Sequence, residues 1–175
     1  MKILVCVSVV PDTTTKITFT DGNTQFNKTG VQFIINPYDE LALTRALDIT
    51  EPIGGTVTVI TVGEADTEPV IRKALAMGAT DAIRVDANPS DGMYVAAQIA
   101  EQAKSGGYDM IITGRESIDY NGGQVQGLIA EMLNWPLINV AMELDVTDKK
   151  VTAVRDIDGG RETISVNTPV VVSAQ

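Results

Sequence analysis

The sequence predicts an α/β fold: a doubly wound, mainly parallel sheet that continues into an antiparallel β segment. Three observations lead there. Apolar runs alternate with helical patterns along the chain, the signature of βαβ units. Three of the runs, Ile3–Val9, Thr56–Val62 and Met110–Thr113, are nearly continuous in apolar residues, as strands covered on both faces require. The whole chain, residues 1–175, reads as a single nucleotide-binding α/β domain, with no repeat of fixed period, no low-complexity segment and no linker.

The elements follow in order. Ile3–Val9, Thr56–Val62, Ala82–Val85, Met110–Thr113 and the weaker Leu137–Val140 are the strand candidates. A helix over Pro37–Ile49 has Asn36 at its N-cap and proline at its first position, where the missing N–H costs nothing. A second helix, Pro69–Met77, stops at Gly78. A third spans Asp91–Ser105 and stops at Gly106-Gly107, and a fourth spans Gly123–Leu133. Lys16–Phe26 reads as a small hairpin around Asp21-Gly22-Asn23. From Glu143 the pattern changes: Leu144, Val146, Val151 and Val154, then Thr163–Val166 and Pro169–Val172, predict a mostly antiparallel tail added to the sheet edge.

Composition narrows the function. A net charge of −10 with scattered Lys and Arg excludes a nucleic-acid footprint. The chain has no histidine, which removes Ser–His triads, Cys–His pairs and His-based zinc sites. Its lone cysteine, Cys6, lies in an apolar run and reads as a core residue. No apolar run approaches the roughly 18–20 residues that span a bilayer, so no membrane insertion is expected. Without a signal peptide pattern, the expected location is cytoplasmic or an organellar matrix.

The most informative segment is Asp109–Gly127, DMIITGRESIDYNGGQVQG. An apolar strand ends at Gly114, a polar loop follows, and a helix begins near Gly122-Gly123. That arrangement suits an anion: small residues admit a ligand to the backbone, and free N–H groups at the helix start face it. Ser117 would add a hydroxyl and Arg115 a positive charge. The competing reading is that the glycines only permit tight turns, since neither GxGxxG nor GxxxxGK[ST] is present. Loop length favours binding: Arg115–Gly122 is longer than the usual structural turn of about two to six residues.

Two further strand ends and a helix start fall near it if the strand order is 3-2-1-4-5, a switch-point arrangement suited to nucleotides. They are Cys6–Val9, the helix start Ile34–Glu40 and Thr61–Gly63. Glu116, Asp119, Asp156 and Asp158 follow no metal-loop pattern and read as surface charge. No catalytic constellation and no metal site emerge, so the chain reads as a binding or carrier protein rather than an enzyme.

Four separated stretches resemble the beta subunits of electron-transfer flavoproteins. They are Ile34–Leu43, Ala74–Ala79 (ALAMGA), Gly114–Gly127 and Ala153–Ser173, the last with Arg155, Asp158, Gly159, Gly160, Glu162 and Pro169 at the family's spacings. The opening KILVCVSVVPDTT is similar as well. The resemblance implies an adenine nucleotide alpha hydrolase-like fold without hydrolase activity. It also implies AMP in this chain and an alpha subunit as heterodimer partner that holds most of the FAD. Electrons would pass from acyl-CoA dehydrogenases or similar donors to a quinone reductase or another acceptor.

Carried over by position, the cofactor-binding residues would be Cys6, Asn36, Pro37, Tyr38, Asp39 and Val62. The loop would add Gly114, Arg115, Glu116, Ser117, Ile118, Asp119, Tyr120, Asn121, Gly122, Gly123, Gln124 and Val125. Ser8 stands where the family commonly has lysine, and Glu116 where it has glutamine. The family's partner-embracing arm beyond Ser173 is expected to be missing from this sequence. Two alternatives remain. One is an electron-bifurcating relative with a second FAD in place of AMP. The other is a stand-alone ATP-binding domain like a universal stress protein.

Overall fold

The apolar runs assemble side by side because each can be covered only from above and below. The computed structural model describes residues 1–175. β1 (Lys2–Cys6) and β2 (Val9–Pro11) open the chain, followed by the small hairpin β3 (Phe19–Thr20) and β4 (Gln25–Phe26) and by β5 (Phe33–Ile35). Helices and strands then alternate: α1 (Pro37–Thr50), β6 (Thr56–Val62), α2 (Glu68–Ala76) and β7 (Asp81–Val85). α3 (Gly92–Gly106), β8 (Met110–Gly114), α4 (Val125–Leu133) and β9 (Leu137–Ala141) continue the pattern. β10 (Glu143–Thr147), β11 (Lys150–Ile157), β12 (Gly160–Asn167) and β13 (Val170–Ala174) complete the description.

The main sheet runs β7-β6-β1-β8-β13-β9 with every neighbour parallel. Successive residues of β1 point to opposite faces, and the core divides accordingly. Ile3 and Val5 pack on the side of α1 and α2, with Ala42, Leu43, Ala46, Val70 and Ala74. Leu4 and Cys6 pack on the side of α3 and α4, with Ile99, Ala103 and Ile129. This is the doubly wound α/β sheet that the sequence predicts. None of its helices is long and apolar enough to cross a membrane.

Three expectations are corrected. The strand order expected as 3-2-1-4-5 is interrupted, because β13 enters between the fourth and fifth strands and pairs with β8 and β9. Val170, Val171 and Val172 are fully buried, and only an interior position covers both their faces. The tail is therefore not an addition to the sheet edge. Its antiparallel part, β10-β11-β12, forms a separate sheet whose Leu144, Val151 and Ala153 join the core on the α1 side. The first strand does not run unbroken to Val9. After Val7 donates to Ile60, the chain leaves the sheet at Ser8, and β2 turns aside to pair antiparallel with β5.

Helix ends follow local chemistry. Asp91 caps α3 by accepting from the Tyr94 N–H at 2.8 Å, and Gly107 closes it at φ 64°, a left-handed conformation that glycine adopts without penalty.

Candidate functional site

β1, β6 and β8 end together, and beyond their carboxyl ends lies a cavity of about 350 Å³. Its floor is built from a buried carboxylate. Asp39, in the first turn of α1, accepts from the Ser8 N–H at 2.7 Å and from the Gly114 N–H at 2.8 Å. One side chain therefore ties the end of β1 to the end of β8. Burial pushes the Asp39 carboxyl up to about 6, while its hydrogen bonds from Ser8, Gly114 and Asn36 pull the other way. Burial first, and then the Asp39 charge, raises the Cys6 thiol, so it stays protonated and unreactive.

Asn36 is the N-cap residue of α1, as the sequence reads, but its side chain makes no capping hydrogen bond. Its amide donates instead to the Glu116 carbonyl at 2.9 Å and accepts from the Ile118 N–H at 3.3 Å. Gln126, in the first turn of α4, donates to the carbonyls of Arg115 and Gly123 at 3.0 and 2.9 Å. A bridge from the Ser117 N–H to the Gly122 carbonyl closes the loop on itself, and Asn121 turns the tip at φ 55°. Two buried side chains, Asn36 and Gln126, thus hold a loop that its sequence alone leaves free.

Of the residues expected at the site, Cys6, Asp39, Val62, Gly114, Glu116, Ser117, Asp119, Tyr120, Gly122 and Val125 border the cavity. Asn36, Pro37, Tyr38, Arg115, Ile118, Asn121, Gly123 and Gln124 do not. Asn36 is fully buried as a loop tie. Arg115 is turned away, its guanidinium 5.4 Å from the centre of the Tyr38 ring and 3.5 Å from Glu116. The positive charge expected in the cavity is therefore spent outside it.

The glycines also serve a different purpose from the one expected. A Cβ on Gly114 would sit 2.5 Å from Asp39 Oδ1 and 2.6 Å from Tyr38 Cβ, and one on Gly122 would run into the Tyr120 ring. They admit the protein's own side chains.

Sequence reasoning passed over the apolar wall. Val95 and Ile99 of α3 border the cavity together with Val62, and their helical spacing marked them only as core. Lys28, after β4, also borders the cavity, but it pairs with Asp66 at 3.4 Å. The carboxylates of Asp39, Glu64, Asp66, Glu116 and Asp119 make the lining acidic. One wall is apolar and suits a flat ring. Elsewhere on the lining, the N–H groups of Val125 and Gln126 open α4 and donate to no protein acceptor.

Residues 23–175 match the model of the electron transfer flavoprotein domain. The "Electron transfer flavoprotein subunit beta" of Bacillus subtilis is 34% identical, over 100% of this chain and 69% of its own length. The protein of the same name from Syntrophomonas wolfei is also 34% identical, over 100% and 69%. The "Acryloyl-CoA reductase electron transfer subunit gamma" of Anaerotignum propionicum is 34% identical over 99% of this chain and 67% of its own. With a domain match over most of its length and relatives of this identity, the chain belongs to the electron transfer flavoprotein family, on the side of its beta subunits.

Proposed function

We propose that this chain is the nucleotide-holding beta subunit of an electron carrier. It binds AMP in the cavity beyond β1, β6 and β8 and pairs with an alpha subunit that holds FAD. The heterodimer relays electrons from dehydrogenases to a quinone reductase or another acceptor. The chain itself catalyses no reaction, and it works in the cytoplasm or an organellar matrix. The cavity is the observation that carries this reading. Its volume of about 350 Å³ lies near the lower end of ordinary ligand pockets, roughly 300–1,000 Å³, which supports a mononucleotide. The Val62–Val95–Ile99 wall suits adenine, Glu116 is an acceptor for ribose hydroxyls, and the free N–H groups of Val125 and Gln126 suit a phosphate.

FAD in the same cavity, as in a bifurcating carrier, is the weaker reading. Its second phosphate would enter a lining rich in carboxylates, whose only lysine is already paired. When bound to the alpha subunit, the flavin supplies the redox chemistry; this chain's residues supply the nucleotide cradle. Denaturing the purified heterodimer and identifying the released cofactors by mass spectrometry tests the proposal. Equimolar AMP and FAD are expected. Two flavins without AMP would establish the bifurcating form instead, and ATP without flavin would overturn the carrier reading.

A further inference from the structure

An anion in this cavity must be met mainly by neutral donors, because Arg115 is turned away and Lys28 is paired with Asp66. Four of the six hydroxyl residues that border the cavity are committed within the protein. Thr61 donates to the Val7 carbonyl at 2.9 Å, Thr67 to the Glu64 carbonyl at 2.7 Å and Thr113 to the Gly114 carbonyl at 2.8 Å. Ser117 donates to Asp119, and Ser8, just beyond β1, keeps an uncommitted hydroxyl. Tyr120 is the other. Its hydroxyl has no protein partner, its side chain borders the cavity, and its ring lies against Gly122, beside the start of α4.

We propose that Tyr120 is a ligand-binding residue whose hydroxyl donates to the phosphate of the bound mononucleotide, doing with a neutral group what a cation does elsewhere. The inference rests on the nucleotide reading above. Partial burial, and then the nearby Asp119 charge, raises the phenol, which keeps it a donor throughout the neutral range. Gly122 has a matching role: without a side chain of its own, it leaves room for the Tyr120 ring beside the helix start.

Calorimetric titration of the purified protein with AMP and with adenosine tests this in wild type, Tyr120→Phe and Tyr120→Ala. Tyr120→Phe should weaken AMP about tenfold or more, the order expected for losing a hydrogen bond to a charged acceptor, and leave adenosine within about twofold. Tyr120→Ala should weaken AMP at least as much. Because Tyr120 is exposed, the Phe variant should melt with the wild type, which separates lost affinity from lost folding. Equal AMP affinity in wild type and Tyr120→Phe overturns the role of Tyr120 alone, as does an equal loss for adenosine. A wild type that binds neither ligand overturns the nucleotide reading and this proposal with it.

Discussion

The floor and the rim of the cavity are built on opposite principles. At the floor, Asp39 is 4% exposed and both its carboxylate oxygens are engaged by backbone N–H groups, from Ser8 beyond β1 and Gly114 at the end of β8. At the rim, Tyr120 is 68% exposed and its hydroxyl engages nothing in the protein. The floor invests in geometry and holds three elements together; the rim leaves its donors free for something else. Changes at the floor should therefore register as stability, and changes at the rim as ligand selection with little effect on folding.

The largest effect should come from Gly114→Ala. The added methyl meets Asp39, Tyr38 Cβ and the Tyr38 backbone within 2.5–2.8 Å, with no flexible tip to move aside. Overpacking and loosened Asp39 hydrogen bonds should together cost roughly 3–4 kcal/mol, visible as a lowered urea midpoint. An unchanged midpoint would mean the floor is softer than its contacts imply.

Next comes the pH dependence of stability. Folding raises the Asp39 carboxyl from 3.8 to about 6, so the folded state binds this proton more tightly than the unfolded chain does. The contribution is fully present below about 3.8 and is lost as pH rises through about 6. A shift of about two units corresponds to roughly 3 kcal/mol at most. Urea unfolding of wild type and Asp39→Asn across this window should show that slope in the wild type and its loss in the variant. Parallel curves would assign the slope to other groups.

The smallest effect should come from Ser117→Ala at the rim. Its hydroxyl only bonds Asp119 nearby, and the Ser117 backbone bridge to Gly122 survives the change. Stability should move by less than about 0.5 kcal/mol. A loss above about 1 kcal/mol would blur the division between floor and rim.

The fold was legible where a pattern is local. Continuous apolar runs marked β1, β6 and β8, and the paired glycines Gly106-Gly107 marked the end of α3. Pairing partners are not local. Pro169–Val172 read as part of a tail at the sheet edge, because nothing in three valines says which two strands lie beside them.

The site was legible to the same limit. Strand ends and a long polar loop pointed to the end of the sheet where the cavity lies. The direction of each side chain depends on contacts distant in sequence: Asn36 reaches Glu116 instead of its own helix, and Arg115 settles over Tyr38. Glycine was the least informative signal. Its spacing says that something comes close to the backbone, and at Gly114 and Gly122 that something is the protein itself. The doubly wound fold alone would equally serve an ATP-binding stress-protein domain; it is the family match that favours a carrier subunit.

The place of β13 in the sheet sets an order of assembly. Val170–Ala174 fills the slot between β8 and β9, yet the ribosome makes both of those strands before it. During synthesis, β7, β6, β1 and β8 can join as soon as they emerge, but β9 has no neighbour to pair with until residues more than thirty positions later arrive. The nascent domain thus carries an open seam at the edge of β8, an unpaired strand edge of the kind that invites wrong partners. The β10–β12 sheet, formed in the interval from sequence-local hairpins, is complete before the seam closes.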